Sequence, residues 1–325
     1  MPTRVLILGA GFGGLELSTL LSEELGPEHV EVTLIDKSDA FIFGFSKLDV
    51  IFGRSTLDAV RLPYSDVAKP GVRFLQETIT AIDPDARRVT TDAGVHEADV
   101  LVIALGADYD MDATPGLADA TEFYSSAGAA RLGELLPDFT GGRAVIGVCD
   151  APFKCPPAPS EAALMLHDHL VGRGLREACE ITIVLPLGTP VPPSPDTSRA
   201  LVDAFAERDI RFVPGRRVRS LDVGRGSVEL DDGSELPYDL FFGVPKHRAP
   251  DVVIASGITE DGYIPVDSAT LATRYPGVYA VGDVATVGAP KAGVFAEGAA
   301  RVVGEALIAQ ARGAEPPAPY NGRGS

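Results

Sequence analysis

Cysteine is scarce in this chain of 325 residues: Cys149, Cys155 and Cys179 are the whole complement. Three are too few for a disulfide framework at this length, and the odd count leaves at least one thiol. A reducing compartment fits, and a cytoplasmic location is expected. Positive charge is scarce as well, with 28 Lys and Arg against 46 Asp and Glu and a net charge of −18. Such a chain repels phosphate backbones and anionic headgroups, which argues against nucleic acid and against electrostatic membrane docking. Long apolar runs are missing. The longest uncharged stretch, residues 181–195, holds five prolines and cannot be a spanning helix, so no transmembrane segment is expected. The apolar N-terminus is too short and too glycine-rich for a signal peptide. His167 and His169 fall two apart on an expected helix and point to different faces, so no metal site is expected.

What is present begins at residue 5. An apolar run, Val5-Leu6-Ile7-Leu8, breaks into Gly9-x-Gly11-x-x-Gly14. Gly9 allows a tight turn off a strand, Gly11 lets the main chain approach a pyrophosphate, and Gly14 lets the next helix pack closely. Phe12 and Gly13 complete the turn. Leu15, Leu17, Leu20 and Leu21 give the following segment a helical apolar face, and Gly26-Pro27 stops it. A second strand, residues 30–35, ends on Asp36-Lys37, placing a carboxylate where an adenosine ribose can be hydrogen-bonded.

Farther on, Phe41-Ile42-Phe43-Gly44-Phe45 has neither helical nor strand period, and either lines a ligand or joins the core. Residues 74–83 and 87–91 read as strands joined by Pro84-Asp85. Residues 99–105 form a continuous apolar run of the kind buried in a parallel sheet, broken by Gly106. A second α/β unit starts near Arg143, with strand 144–149, a Pro-rich loop around Cys155, and a helix over 161–171 that Ser160 can cap. Strand 181–185, a helix near 197–208 and four further strands follow, with Asp231-Asp232-Gly233 as a hairpin turn. The last unit holds strand 277–281 and a helix over about 293–311, and the Pro/Gly-rich residues 316–325 read as a loose tail.

Three separated motifs agree with one another. Gly9 to Gly14, Val100-Leu101-Val102-Ile103-Ala104-Leu105-Gly106, and Val278-Tyr279-Ala280-Val281-Gly282-Asp283 resemble the FAD signatures of the pyridine nucleotide-disulfide oxidoreductase superfamily. That resemblance implies an α/β fold of two Rossmann-like, glutathione-reductase-like domains, the second inserted in the first. Residues 1–110 and 245–315 would form the FAD-binding domain, and 111–244 a second Rossmann-like domain without a recognisable NAD(P) motif. It also implies Asp283 for the FAD ribitol. Pro290-Lys291-Ala292-Gly293-Val294-Phe295-Ala296-Glu297 is similar to the segment opening the last FAD-domain helix of sulfide:quinone oxidoreductases, flavocytochrome c sulfide dehydrogenases and type II NADH dehydrogenases. A helix starting there turns its positive end toward a flavin, stabilising the charge that builds on it on reduction, with Lys291 expected to assist as a catalytic residue and Phe295 beside it.

Phe153-Lys154-Cys155-Pro156-Pro157-Ala158-Pro159 resembles the cysteine loop of the sulfide-oxidising branch. A second Gly-x-Gly-x-x-Gly is absent where a nicotinamide dinucleotide would need it, and strand 181–185 ends on Leu-Pro-Leu with no ribose-binding acid. Cys155 is then either a redox thiolate working with the flavin or a small buried apolar residue. Departures from the branch are the lack of a second, C-terminal redox cysteine and of the C-terminal amphipathic element by which quinone-reducing relatives dock on membranes. No cysteine lies near residues 41–46, so FAD is expected to be non-covalent. The expected activity is oxidation of a sulfur nucleophile through Cys155 and FAD, with a quinone or a cytochrome-like protein as acceptor. Two alternatives stand beside it: an NAD(P)H:acceptor reductase, and an electron-transfer subunit or redox sensor needing a partner.

Overall fold

The computed structural model describes residues 1–67, 69–315 and 318–322. The chain divides into two units, one of residues 1–41, 62–108 and 248–325, the other of residues 42–61 and 109–247. The sequence boundaries near 110 and 245 lie within a few residues of this division. Residues 42–61, expected in the first domain, are grouped with the second unit instead.

The first unit is built on a five-stranded sheet whose paired strands are parallel. Its order is Val278–Ala280, Val100–Ile103, Thr3–Leu8, Val30–Asp36, Val72–Gln76. The first strand lies in the middle, with Val5 opposite both Val32 and Val100. Every residue of Val100–Ile103 is buried, as a strand covered on both faces requires. Helix Phe12–Glu24 returns the chain to the second strand and packs on helix Gly293–Arg312. The approach is close: a Cβ on Gly304 would stand 2.7 Å from the Leu20 side chain. Ile79–Asp83, Arg88–Thr91 and Val95–Glu97 form a separate antiparallel sheet. Residues 74–83, expected as one strand, are therefore two strands in two sheets. The change of direction falls at Glu77 and Thr78, whose main chain pairs with Asp36 and Asp92.

The second unit repeats the plan with four parallel strands in the order Ile210–Pro214, Cys179–Leu185, Gly142–Val148, Leu240–Val244. Helices Ser126–Leu135, Ala158–Gly172 and Pro195–Glu207 belong to it, as does the antiparallel sheet Val218–Asp222, Ser227–Leu230, Glu235–Pro237. The hairpin turn at Asp231-Asp232-Gly233 is present, with Gly233 at φ +81°. Helix Ala158–Gly172 starts three residues earlier than expected, with Pro159 in its first turn. Ser160 is inside it, fully buried, and does not cap it.

The stretch expected to lack regular structure carries strand Ala40–Ile42 and leads into helix Ser46–Ile51. That helix buries Leu48 and Ile51, with Phe52, in one core with Ala129, Leu132 and Leu136. Of the tail expected to be loose, residues 316, 317 and 323–325 lie outside the described residues. Tyr320 is buried, and its N–H donates to Ala269 O at 2.8 Å.

Candidate functional site

In the first unit the loop between strand Thr3–Leu8 and helix Phe12–Glu24 separates two kinds of glycine. Gly9 has φ +98°, and a Cβ there would lie 2.4 Å from Ala104 O; a Cβ on Gly14 would lie 1.9 Å from Gly9 O. Both positions are closed by main chain, so only hydrogen fits. Around Gly11 nothing lies within 4 Å of a Cβ position. The open side of the loop is thus the side on which a ligand can reach the main chain. Helix Phe12–Glu24 has no side-chain cap and no acid in its first turn, so its N–H groups and dipole are left for an anion.

The distant motifs converge on this loop. A Cβ on Gly13 would meet Val281 Cγ2 at 3.0 Å and Ala296 O at 3.5 Å, and one on Gly282 would meet Ala296 Cβ at 3.2 Å. The Phe12 ring lies edge-on to Phe41, centroids 5.1 Å apart, and a Cβ on Gly293 would stand 2.7 Å from it. Ala104 N–H donates to Leu8 O at 2.7 Å, and Gly106, at φ +68°, faces open space. Helix Gly293–Arg312 also begins with no side-chain cap and no acid in its first turn. Residues from the three segments therefore surround two uncapped helix starts, an arrangement that fits a dinucleotide carrying a ring that becomes anionic on reduction.

Other expected site residues have local duties as well. Each oxygen of Asp36 takes a backbone N–H at 2.8 Å, one from Ala10 and one from Ser38. Lys37 is exposed, and its carbonyl accepts Gln76 Nε2 at 3.5 Å. Lys291 is buried; its Nζ donates to Asp283 O at 2.6 Å and Ala285 O at 3.3 Å, and stands 3.7 Å from the Tyr263 ring centroid. The ammonium thereby fixes the Gly282-Asp283 turn against the start of the last helix. Phe295 is half-buried, its carbonyl accepting Tyr320 Oη at 3.4 Å. Tyr64, not singled out from the sequence, donates its buried hydroxyl to Ala10 O at 2.9 Å, and burial raises its pKa.

In the second unit the strand Gly142–Val148 leads to Cys149 and then to the Cys155 loop. Burial raises the Cys149 thiol to about 12 and the Cys179 thiol in the same direction. Both are core cysteines. Cys155 differs: it is partly exposed and has φ +50°, a left-handed conformation that costs a non-glycine residue about 1 kcal/mol. Its carbonyl accepts the Ala158 N–H at 2.9 Å and the Tyr124 hydroxyl at 3.4 Å.

Around this loop are groups that sequence motifs did not reveal. The rings of Tyr109 and Tyr124 are 6.4 Å apart, with His247 edge-on to them at 5.0 and 5.4 Å. Lys154 Nζ lies 4.4 Å from the Tyr109 centroid, a cation–π contact. Lys47 Nζ donates to Tyr124 O. Burial lowers the Lys47 pKa to about 8, helped by Lys154 and opposed by Glu122 and Cys155. Of the two helical histidines, His167 Nδ1 accepts Arg176 Nε at 3.0 Å and His169 lies against Phe52.

Two parallel Rossmann-type sheets, one with a glycine cradle and three converging FAD-type motifs, define an FAD-binding oxidoreductase of the two-dinucleotide-domain class. The chain belongs to the pyridine nucleotide-disulphide oxidoreductase family, whose profile matches residues 3–151 and 157–313. It is 26% identical over 297 residues to the mitochondrial sulfide:quinone oxidoreductase of Mus musculus, covering 86% of this chain and 65% of the mouse protein's length. A sulfide-quinone reductase of Aquifex aeolicus is 28% identical over 336 residues, covering 95% of this chain and 76% of that one. The solved structure of the sulfide:quinone oxidoreductase of that organism superposes with a TM-score of 0.83 over 96% of this chain and 77% of the other, at 23% identity. A type II NADH:quinone oxidoreductase of Staphylococcus saprophyticus is 33% identical over 117 residues, 36% of this chain and 29% of that one. Among the described residues no helix is long and apolar enough to cross a membrane.

Proposed function

We propose that this chain oxidises a sulfur nucleophile, hydrosulfide foremost, with Cys155 as the sulfur carrier and a quinone or a cytochrome-like protein as the final acceptor. The observation carrying this reading lies in the second unit. Where a nicotinamide-binding domain would need a glycine turn after strand Gly142–Val148, this one has a partly exposed cysteine in a left-handed conformation among Lys47, Lys154, Tyr109, Tyr124 and His247. The likeness to sulfide:quinone oxidoreductases supports the same substrate class.

The Cys155 thiolate and hydrosulfide join through a new S–S bond, releasing one proton and two electrons. FAD, when bound, supplies the two-electron oxidation, and the quinone or protein acceptor takes the electrons in turn. A second sulfur nucleophile removes the outer sulfur and restores the thiolate. FAD is held without a covalent bond on the first unit, by the Gly9–Gly14 loop, Asp36, Ala104, Gly106 and the Gly282-Asp283 turn. Lys291 and Phe295 steady the start of the last helix, and a reducing compartment keeps Cys155 available as a thiol.

The second reading, oxidation of NAD(P)H, draws on the staphylococcal relative. An anaerobic titration separates the two, following the flavin band near ~450 nm with sulfide in one cuvette and NADH in another. Bleaching by sulfide alone is expected, whereas bleaching by NADH alone overturns the proposal. Bleaching by neither points to a subunit that needs a partner chain.

A further inference from the structure

The groups around Cys155 are unequal in how their charge is used. Lys154 lies over the Tyr109 ring, and His247 gives its Nδ1–H to Pro245 O at 2.8 Å, which assigns the imidazole its tautomer. Glu122, the carboxylate that acts on Lys47, is divided among the Tyr124 N–H at 2.7 Å, the Ser125 N–H at 2.9 Å and the Ser125 hydroxyl. It thereby prepares the start of helix Ser126–Leu135, where Ser125 caps Gly128 N–H. Lys47, brought in by helix Ser46–Ile51, is left with the neutral carbonyl of Tyr124, and the hydroxyl of that tyrosine reaches the Cys155 carbonyl. A cation in this half-buried place gains from an anion that forms within reach of its field, and Cys155, joined to it through Tyr124 and felt by its charge, is a group able to provide one.

We infer that Lys47 holds Cys155 as its thiolate and is a positioning residue for the sulfur chemistry. The inference rests on Cys155 being the sulfur carrier, and it extends that reading to a residue more than a hundred positions away in sequence. Lys154, the sequence neighbour of Cys155, is the rival cation; its ammonium is attracted to the face of the Tyr109 ring and keeps its charge there, so the two lysines are separated by substitution. Tyr124 stays protonated through the neutral range, because burial raises its hydroxyl well above the ordinary value.

The test is the pH profile of Cys155 alkylation by iodoacetamide in the FAD-loaded protein, read by mass spectrometry of the Cys155 peptide with buried Cys149 and Cys179 as internal controls. Lys47→Met should raise the alkylation midpoint by about one pH unit and slow labelling at neutral pH roughly tenfold. Lys47→Arg should restore both, since the charge rather than the amine is the active feature. Flavin content and melting temperature verify that each variant is folded. An unchanged midpoint in folded Lys47→Met, or a shift produced by Lys154→Met instead, overturns the inference. Failure of the function itself reads differently: wild-type flavin then resists sulfide while the Lys47-dependent shift of the thiol persists.

Discussion

Gly14 lies directly beneath Gly9, so that a Cβ on Gly14 would stand 1.9 Å from the Gly9 carbonyl oxygen, whereas a Cβ on Gly11 would meet nothing within 4 Å. Two glycines of one motif are thus required for different reasons, and alanine substitutions separate them. Gly14→Ala must displace the Gly9 main chain just past the end of strand Thr3–Leu8, and overpacking of that kind costs about 1–3 kcal/mol. Gly11→Ala leaves the apoprotein unharmed but puts a methyl where the pyrophosphate approaches. The expected outcome is a lowered melting temperature for Gly14→Ala, and a normal apoprotein melt with at least about tenfold weaker FAD binding for Gly11→Ala. Equal melting losses for both would refute this division of labour.

Lys291 carries a second prediction. Its ammonium serves two carbonyls and the Tyr263 ring from a buried position, so Lys291→Met removes a charged donor from groups that water reaches poorly. A loss of about 1–3 kcal/mol is expected in urea unfolding of the apoprotein. Faster FAD release should accompany it, because the freed carbonyls of Asp283 and Ala285 belong to the turn beside the last helix. If stability is unchanged, the contacts of this lysine are incidental to the fold.

The strand, glycine turn, helix, strand and terminal acid of the first unit were legible because each is a local pattern, and the parallel sheet fixes their order. The same local logic misread two places. Helix Ser46–Ile51 is six residues long, and no periodicity over six residues tells which of two cores it joins; Lys47 was missed for that reason. Residues 74–83 hold no turn residue that would divide them, and only the pairings of Glu77 and Asp92 reveal the change of sheet. Asp36 was read as a ribose acceptor from its position alone. The sequence carried no sign that both its oxygens also hold the neighbouring main chain. Tyr109, Tyr124 and His247 lack a motif altogether, since their proximity to Cys155 is made by tertiary packing.

Lys47 also makes stability depend on pH, with a sign opposite to that of an ordinary ion-paired lysine. Its folded pKa, about 8, lies below the ordinary 10.5, so between these values the unfolded chain binds more protons than the folded one. Stability from this group therefore rises as pH climbs through that window, and the cost of burying the charge is fully present below pH 8. Lys47→Met removes the cost. The variant should melt higher than wild type at neutral pH, and its advantage should shrink steadily toward pH 10.5. Melting curves of both proteins across this window check the sign, and a gap that stays constant with pH rules out a buried ammonium. The same lysine would then be unfavourable for the fold and favourable for the thiolate, the trade expected where a site stores free energy for chemistry.

Cys155 provides the most direct prediction. Serine keeps the size and the left-handed backbone of the loop but cannot form the S–S bond, so Cys155→Ser should leave FAD bound with an unchanged visible spectrum. Reduction by sulfide should fall by at least about a thousandfold, because a nucleophile in a covalent step has no substitute. Reduction by a small chemical reductant such as dithionite should proceed normally, which localises the defect to the sulfur step rather than to the flavin. Cys149→Ser and Cys179→Ser, at core positions, should lose some stability and keep the sulfide reaction. If Cys155→Ser is reduced by sulfide at the wild-type rate, sulfide reaches the flavin without the cysteine. The left-handed loop would then need another explanation.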